Sequence, residues 1–153
     1  MKKEKVPGRC MAWVLCALWM AFIYMMSATP GDVSGAESGL LTTVALRVFS
    51  FLFGSEAAAR VDVGMLEFLI RKAAHMTEYA ILFLLWHRAL RLSGARRPAL
   101  WAFAVCVLYA AGDEFHQSFT PERGPSPVDV AIDAAGAGAA LLFMRLFQKE
   151  KKQ

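Results

Sequence analysis

Apolar residues run along this chain in four blocks, approximately 10–28, 69–90, 98–116 and 128–147, each close to the length at which a helix crosses a bilayer. The first opens behind Lys2, Lys3, Lys5 and Arg9 and stops at Thr29-Pro30-Gly31-Asp32. A cleaved signal peptide is the competing reading. Its apolar core would be too long, however, and Met26-Ser27-Ala28 is a poor small-x-small cleavage site, so an uncleaved first span is expected. Pro98 suits the first turn of the third block, and Pro121, Pro125 and Pro127 break the chain before the fourth. Residues 29–66 read as loop, interrupted by an apolar stretch, 40–53, that carries Arg47 and falls short of a span. An interfacial helix anchored by Phe49, Phe51 and Phe53 is expected there rather than a re-entrant segment, whose backbone would need protein around it. The pattern predicts one all-α domain over 1–153: an integral membrane four-helix bundle with short loops and one interfacial or re-entrant amphipathic segment.

Composition supports the class, and charge adds an orientation. Hydrophobic residues make up 57% of the chain and mean hydropathy is +0.40, above the usual share for soluble domains. Of seventeen Lys and Arg, twelve lie in the N-terminal tail, the 88–97 connection and the C-terminal tail. By the positive-inside rule both termini are cytoplasmic and the 29–71 and 117–127 segments lie outside, in a multi-pass protein of the cell membrane. The net charge of +4 reflects these flanks and does not argue for nucleic acid. Cys10, Cys16 and Cys106 sit in or beside apolar segments, match no zinc spacing, and are given no disulfide and no role.

That topology gathers the polar residues at one depth. The exit of the first span holds Ser27, and the start of the second holds Arg71, Lys72, His75, Glu78 and Tyr79. The exit of the third holds Asp113, Glu114, His116 and Gln117; Arg123, Ser126, Asp129 and Asp133 follow at the start of the fourth. Lys72, His75, Glu78 and Tyr79 share a helical face, as do Asp113, His116 and Gln117, and Asp129 and Asp133. Glu114 is rotated about 100° from Asp113, so the two carboxylates cannot aim at one spot on a straight helix. The run AAGAGAA, 134–140, lets the fourth span approach its neighbours closely.

Ionisable groups at the lip of membrane helices are costly and mark function by default. A purely structural bundle glued by ion pairs remains the bland reading, with Asp129 as a helix cap. Three chemistries fit the set. His75 or His116 with Glu114, Glu78 or Asp113 would make a general acid/base pair. The H-x-x-E and D-x-x-H spacings would allow a divalent metal, although there is no HExxH. Arg71, Lys72 and Arg123 would hold an anionic headgroup, with carboxylates for amines or sugar hydroxyls. No nucleophile elbow, P-loop or dinucleotide fingerprint is present.

The stretches RKAAHMTEYAILFLL and YAAGDEFHQSFTPERGPSPVDVAIDAAGAGAA resemble the VanZ-like membrane proteins, whose pattern runs K-x-x-H-x-x-E-Y, D-E-x-x-Q, P-G-R and S-x-x-D-V-x-x-N-x-x-G. Ser27 ahead of Pro30-Gly31, with Ser34 following, is similar to that family's serine-bearing exit from its first helix. The resemblance carries over Lys72, His75, Glu78, Tyr79, Asp113, Glu114, Gln117, Arg123, Ser126, Asp129 and Gly136. Glu122 replaces the usual glycine and Asp133 the usual asparagine, so the ligand or its protonation is in question here. The resemblance implies a link to tolerance of teicoplanin, a lipid-tailed glycopeptide that acts on lipid-linked cell-wall precursors outside the membrane. The expected partners are therefore membrane lipids and a lipid-linked precursor or lipoglycopeptide. An intramembrane hydrolase or transferase on an envelope lipid is the alternative.

Overall fold

A computed structural model describes residues 6–28, 31–119 and 126–150, with the backbone alone for 6–7, 31–38 and 148–150. The described residues form helices joined by short turns, with no strand among them, in the order α1 (Val6–Ser27), α2 (Gly31–Phe53), α3 (Ser55–Ala58), α4 (Val63–Leu92), α5 (Pro98–Gln117) and α6 (Pro127–Glu150). Among the described residues three stretches are long and apolar enough to cross a membrane: Gly8–Ser27, Pro98–Gln117 and Pro127–Phe147.

Helix α4 behaves in the opposite way. Glu67, Arg71, Lys72, Glu78, Arg88 and Arg91 keep it out of that apolar class, yet its middle is the best-buried part of the fold. Tyr79, Leu82, Phe83 and Ala89 are completely enclosed. The reason is its position: α4 touches α1, α2, α5 and α6, while α1 and α6 do not touch among the described residues. The apolar helices thus flank the charged one. Their outer faces carry Leu18, Phe22, Leu108, Phe115, Leu142 and Phe143 exposed, an exterior suited to lipid rather than water.

The core between them is built from small residues. Ala102, Cys106 and Ala110 of α5 and Ala137 and Ala140 of α6 close on Tyr79, Leu82 and Phe83. The tightest approach is at Gly136, where an added Cβ would meet the backbone of Met76, with the Met76 Cα at 2.7 Å. Only a glycine lets α6 lie this close to α4. At the end of the bundle near the N-terminus, Trp13 donates its indole N–H to the Ser93 hydroxyl at 3.1 Å. The α4–α5 turn there is a Schellman motif, with Gly94 in the left-handed region donating to the Arg91 carbonyl and Ala95 to that of Leu90. All three cysteines are free.

Two boundaries differ from the sequence expectation. Residues 29–66 are not mainly loop: α2 is a continuous 23-residue helix, of which only Gly39–Phe53 is apolar. Its first turns are rich in Gly and Ser, poor helix formers on intrinsic preference, and they run unbroken into the apolar stretch; α2 as a whole contacts α4. Helix α4 also starts at Val63, ahead of the apolar block expected from about 69, because the Asp62 carboxylate accepts the Met65 N–H at 3.1 Å and caps it.

Candidate functional site

The polar side chains meet at the end of the bundle formed by the C-termini of α1 and α5 and the first turns of α6, beside the middle of α4. Three cross-helix ties define it. Lys72 of α4 donates to Asp129 of α6 at 2.6 Å. Gln117 of α5 donates through Nε2 both to the Ser27 hydroxyl of α1, at 2.8 Å, and to Asp113, at 3.1 Å. The Ser126 N–H, at the head of α6, donates to Glu114 at 2.8 Å.

The last of these explains how α6 begins. Pro127 occupies the first helical position, where its missing N–H costs nothing. Ser126 stands just ahead of it, and its backbone carbonyl accepts the Asp129 N–H at 2.9 Å, with its hydroxyl at 3.4 Å. Ser126, not Asp129, is therefore the cap. Asp129 lies in the first turn, where a negative charge suits the helix dipole, and turns its carboxylate to Lys72 instead.

The site divides into two compartments on either side of α5. Asp113 and Glu114 are both buried, and their rotation around α5 sends them apart. Glu114 faces α6 and joins Lys72, His75, Asp129, Ile132 and Asp133 around a narrow cleft. Asp113 faces α1 and joins Tyr24, Leu108, Tyr109, Gly112 and His116 around a mostly apolar pocket of about 160 Å³. His116 lies against the Tyr24 ring at a centroid distance of 4.4 Å. The pairing of His116 with Glu114 is consequently not assembled, since side chains two apart on a helix do not face each other. His75 and Glu114 do share a cleft. His75 also has Glu78 as a neighbour, at 3.7 Å between Nδ1 and Oε2, an ion pair only when the imidazole is protonated.

Between the compartments lies Tyr79, wholly buried, its hydroxyl without a hydrogen-bond partner among the described residues. It sits in electrostatic range of Asp113, Asp133 and Glu78. Asp133 is 2% exposed, and its strongest electrostatic neighbours are Asp113, Glu114, Asp129 and Glu78. Five carboxylates thus share one layer. Among the described residues no three His, Cys, Asp or Glu side chains come together as a metal would require. Arg71 is half-buried one turn before His75 and does not line the cleft. Arg123, with Glu122, falls outside the described residues.

Tyr24 and Tyr109 are pocket residues that helical spacing of charges alone did not single out. The signal for Tyr109 was its place four residues before Asp113, on the same face. Its hydroxyl donates to the Met20 carbonyl at 2.6 Å and ties α5 to α1. Trp19 of α1 does the same for α4, donating its indole N–H to the Glu78 carbonyl at 3.0 Å.

No curated protein and no solved structure matches the chain. The family model described as VanZ/LLP1 does, over residues 12–148, from the first turns of α1 almost to the end of α6. Every tie described above lies inside that match, and the chain belongs to the VanZ/LLP1 family.

Proposed function

We propose that this protein crosses the cell membrane four times, through α1, α4, α5 and α6, with both termini cytoplasmic, and that its polar layer opens outward and engages an amphiphile. The ligand class we infer is a lipid-linked envelope component or a lipoglycopeptide of the teicoplanin type. The observation that carries this reading is the juxtaposition at α5: a polar cleft on its α6 side and a mostly apolar pocket on its α1 side. An amphiphile has one part for each. Helix α4 serves as the fourth span because its charges are covered by its neighbours or lie toward its ends.

A second reading, an intramembrane hydrolase or transferase, draws on His75 and Glu114 sharing the cleft, one a candidate base and the other a candidate acid. Glu114→Gln separates the two. The amide keeps an acceptor for the Ser126 N–H, so folding should survive. Native mass spectrometry of the detergent-purified wild type should show retained lipid, and the variant should retain it about tenfold less, the worth of one charge-assisted contact. Full retention of substrate by the variant, with turnover lost, would favour the enzyme. Wild-type protein that carries no lipid would sink both readings.

A further inference from the structure

The cleft between α4, α5 and α6 sets three carboxylates, Glu114, Asp129 and Asp133, against one lysine, Lys72. Lys72 answers Asp129 directly, and Glu114 accepts the Ser126 N–H. Asp133 differs from both. It is 2% exposed, it lines the cleft, and no hydrogen-bond donor reaches it among the described residues. Its strongest electrostatic neighbours are four more carboxylates. A buried carboxylate without a partner is expensive, because desolvation is not repaid by any contact. The Tyr79 hydroxyl, completely buried and likewise without a partner among the described residues, lies in range of the same group. Two buried polar groups therefore lie near each other, neither with a hydrogen-bond partner among the described residues.

What would satisfy them is a compact cation that brings its own donors. The scatter of the carboxylates argues against a metal, since no three ligating side chains gather among the described residues. A primary ammonium has no such requirement. It carries three N–H donors and can be held by one or two oxygens. The cleft is filled as it stands, and what fills it is a group of this kind, the ammonium of Lys72, 2.6 Å from Asp129. The long, flexible lysine stem can swing aside to admit a second one.

We propose that Asp133, with Glu114 beside it and Tyr79 beneath, is the receptor for a primary ammonium on the ligand's headgroup. The inference rests on the amphiphile reading and narrows it: the headgroup enters the cleft amine first, so the site selects aminated amphiphiles over purely anionic ones. The shared chemistry is the ammonium, whether it is carried by a lipid or by a soluble amine.

The test places the wild type and Asp133→Asn in nanodiscs of equal parts phosphatidylethanolamine and phosphatidylglycerol and reads the retained lipids by native mass spectrometry. A second arm uses phosphatidylglycerol discs with added ethanolamine. The asparagine is isosteric, and the melting temperature of each protein confirms that it is folded. We expect the wild type to retain the aminated lipid about tenfold over the anionic one, the factor that one charge-assisted hydrogen bond is worth. Asp133→Asn should bring the two lipids to parity. Asp133-dependent binding of ethanolamine in the second arm would also support the ammonium receptor and identify its source as a soluble amine. Parity already in the wild type without ethanolamine binding, or a preference that survives in Asp133→Asn, would overturn the inference while leaving an amphiphile site standing. Retention of neither lipid nor ethanolamine by the wild type would overturn the inference and the amphiphile reading together.

Discussion

Gly136→Ala is expected to be among the most damaging single-methyl changes in this protein. The new Cβ would fall on the Met76 backbone, its Cα 2.7 Å away, and backbone cannot rotate aside as a side chain does. Overpacking of this kind typically costs about 1–3 kcal/mol, and a clash with main chain belongs at the top of that range or above it. The consequence reaches the site. Met76 follows His75 on α4, and Gly136 lies one turn past Asp133 on α6, so separating the helices there moves Lys72 away from Asp129. Gly136→Ala should lower the melting temperature in detergent and lose lipid retention together. Gly138→Ala is the control. Its Cβ would meet only the edge of the Phe103 ring at 3.8 Å, an ordinary contact, and little change should be seen. Equal tolerance of the two substitutions would show that α4 and α6 do not approach as described.

Lys72→Met should be the most damaging change among the charged residues. Lys72 and Asp129 keep 17% and 30% of their side-chain surface exposed, so the loss should fall somewhat below the about 3–5 kcal/mol expected when a fully buried pair loses one partner. The sign is nevertheless firm, because the methionine leaves Asp129 in a layer with four other carboxylates. Asp129→Asn alone should cost less, since it removes an acid from an acidic layer and keeps an acceptor for Lys72. Combining the two should recover part of the Lys72→Met loss, and thermal unfolding of all four proteins yields the coupling. Strict additivity would mean that the pair contributes nothing beyond two independent charges.

How much of this was legible beforehand depended on which physical signal each element carries. Helices α1, α5 and α6 are apolar along most of their length, and hydropathy alone finds them. Helix α4 was found from its apolar second half, but its first turn was missed, although Asp62 three residues before Met65 is a cap that can be read. The first half of α2 gave no signal at all: Gly31, Ser34, Gly35 and Ser38 argue against a helix locally, yet the helix runs through them into the apolar Gly39–Phe53.

The site shows the same division. Spacing placed Lys72 with His75, Asp113 with Gln117, and Asp129 with Asp133, since each pair shares one face of one helix. It also separated Asp113 from Glu114, which proved to point into different compartments. The partners across helices were not legible, because they depend on how far each helix is turned about its own axis. The close approach of Gly136 to Met76 and the small residues of α5 set those rotations, and only then does Lys72 meet Asp129 and Gln117 meet Ser27.

Every role proposed for the polar layer depends on which side of the membrane it opens to, and thiol labelling in intact cells tests this directly. Ser118, exposed just past the end of α5, sits at the polar end of the bundle, and Ser93, exposed just past α4, at the opposite end. Each would be changed to cysteine in a Cys10→Ser background, since Cys16 and Cys106 are buried. A membrane-impermeant maleimide should label Ser118→Cys in intact cells and Ser93→Cys only after permeabilisation. The reverse pattern would place the carboxylate layer on the cytoplasmic side and contradict an outward-facing site.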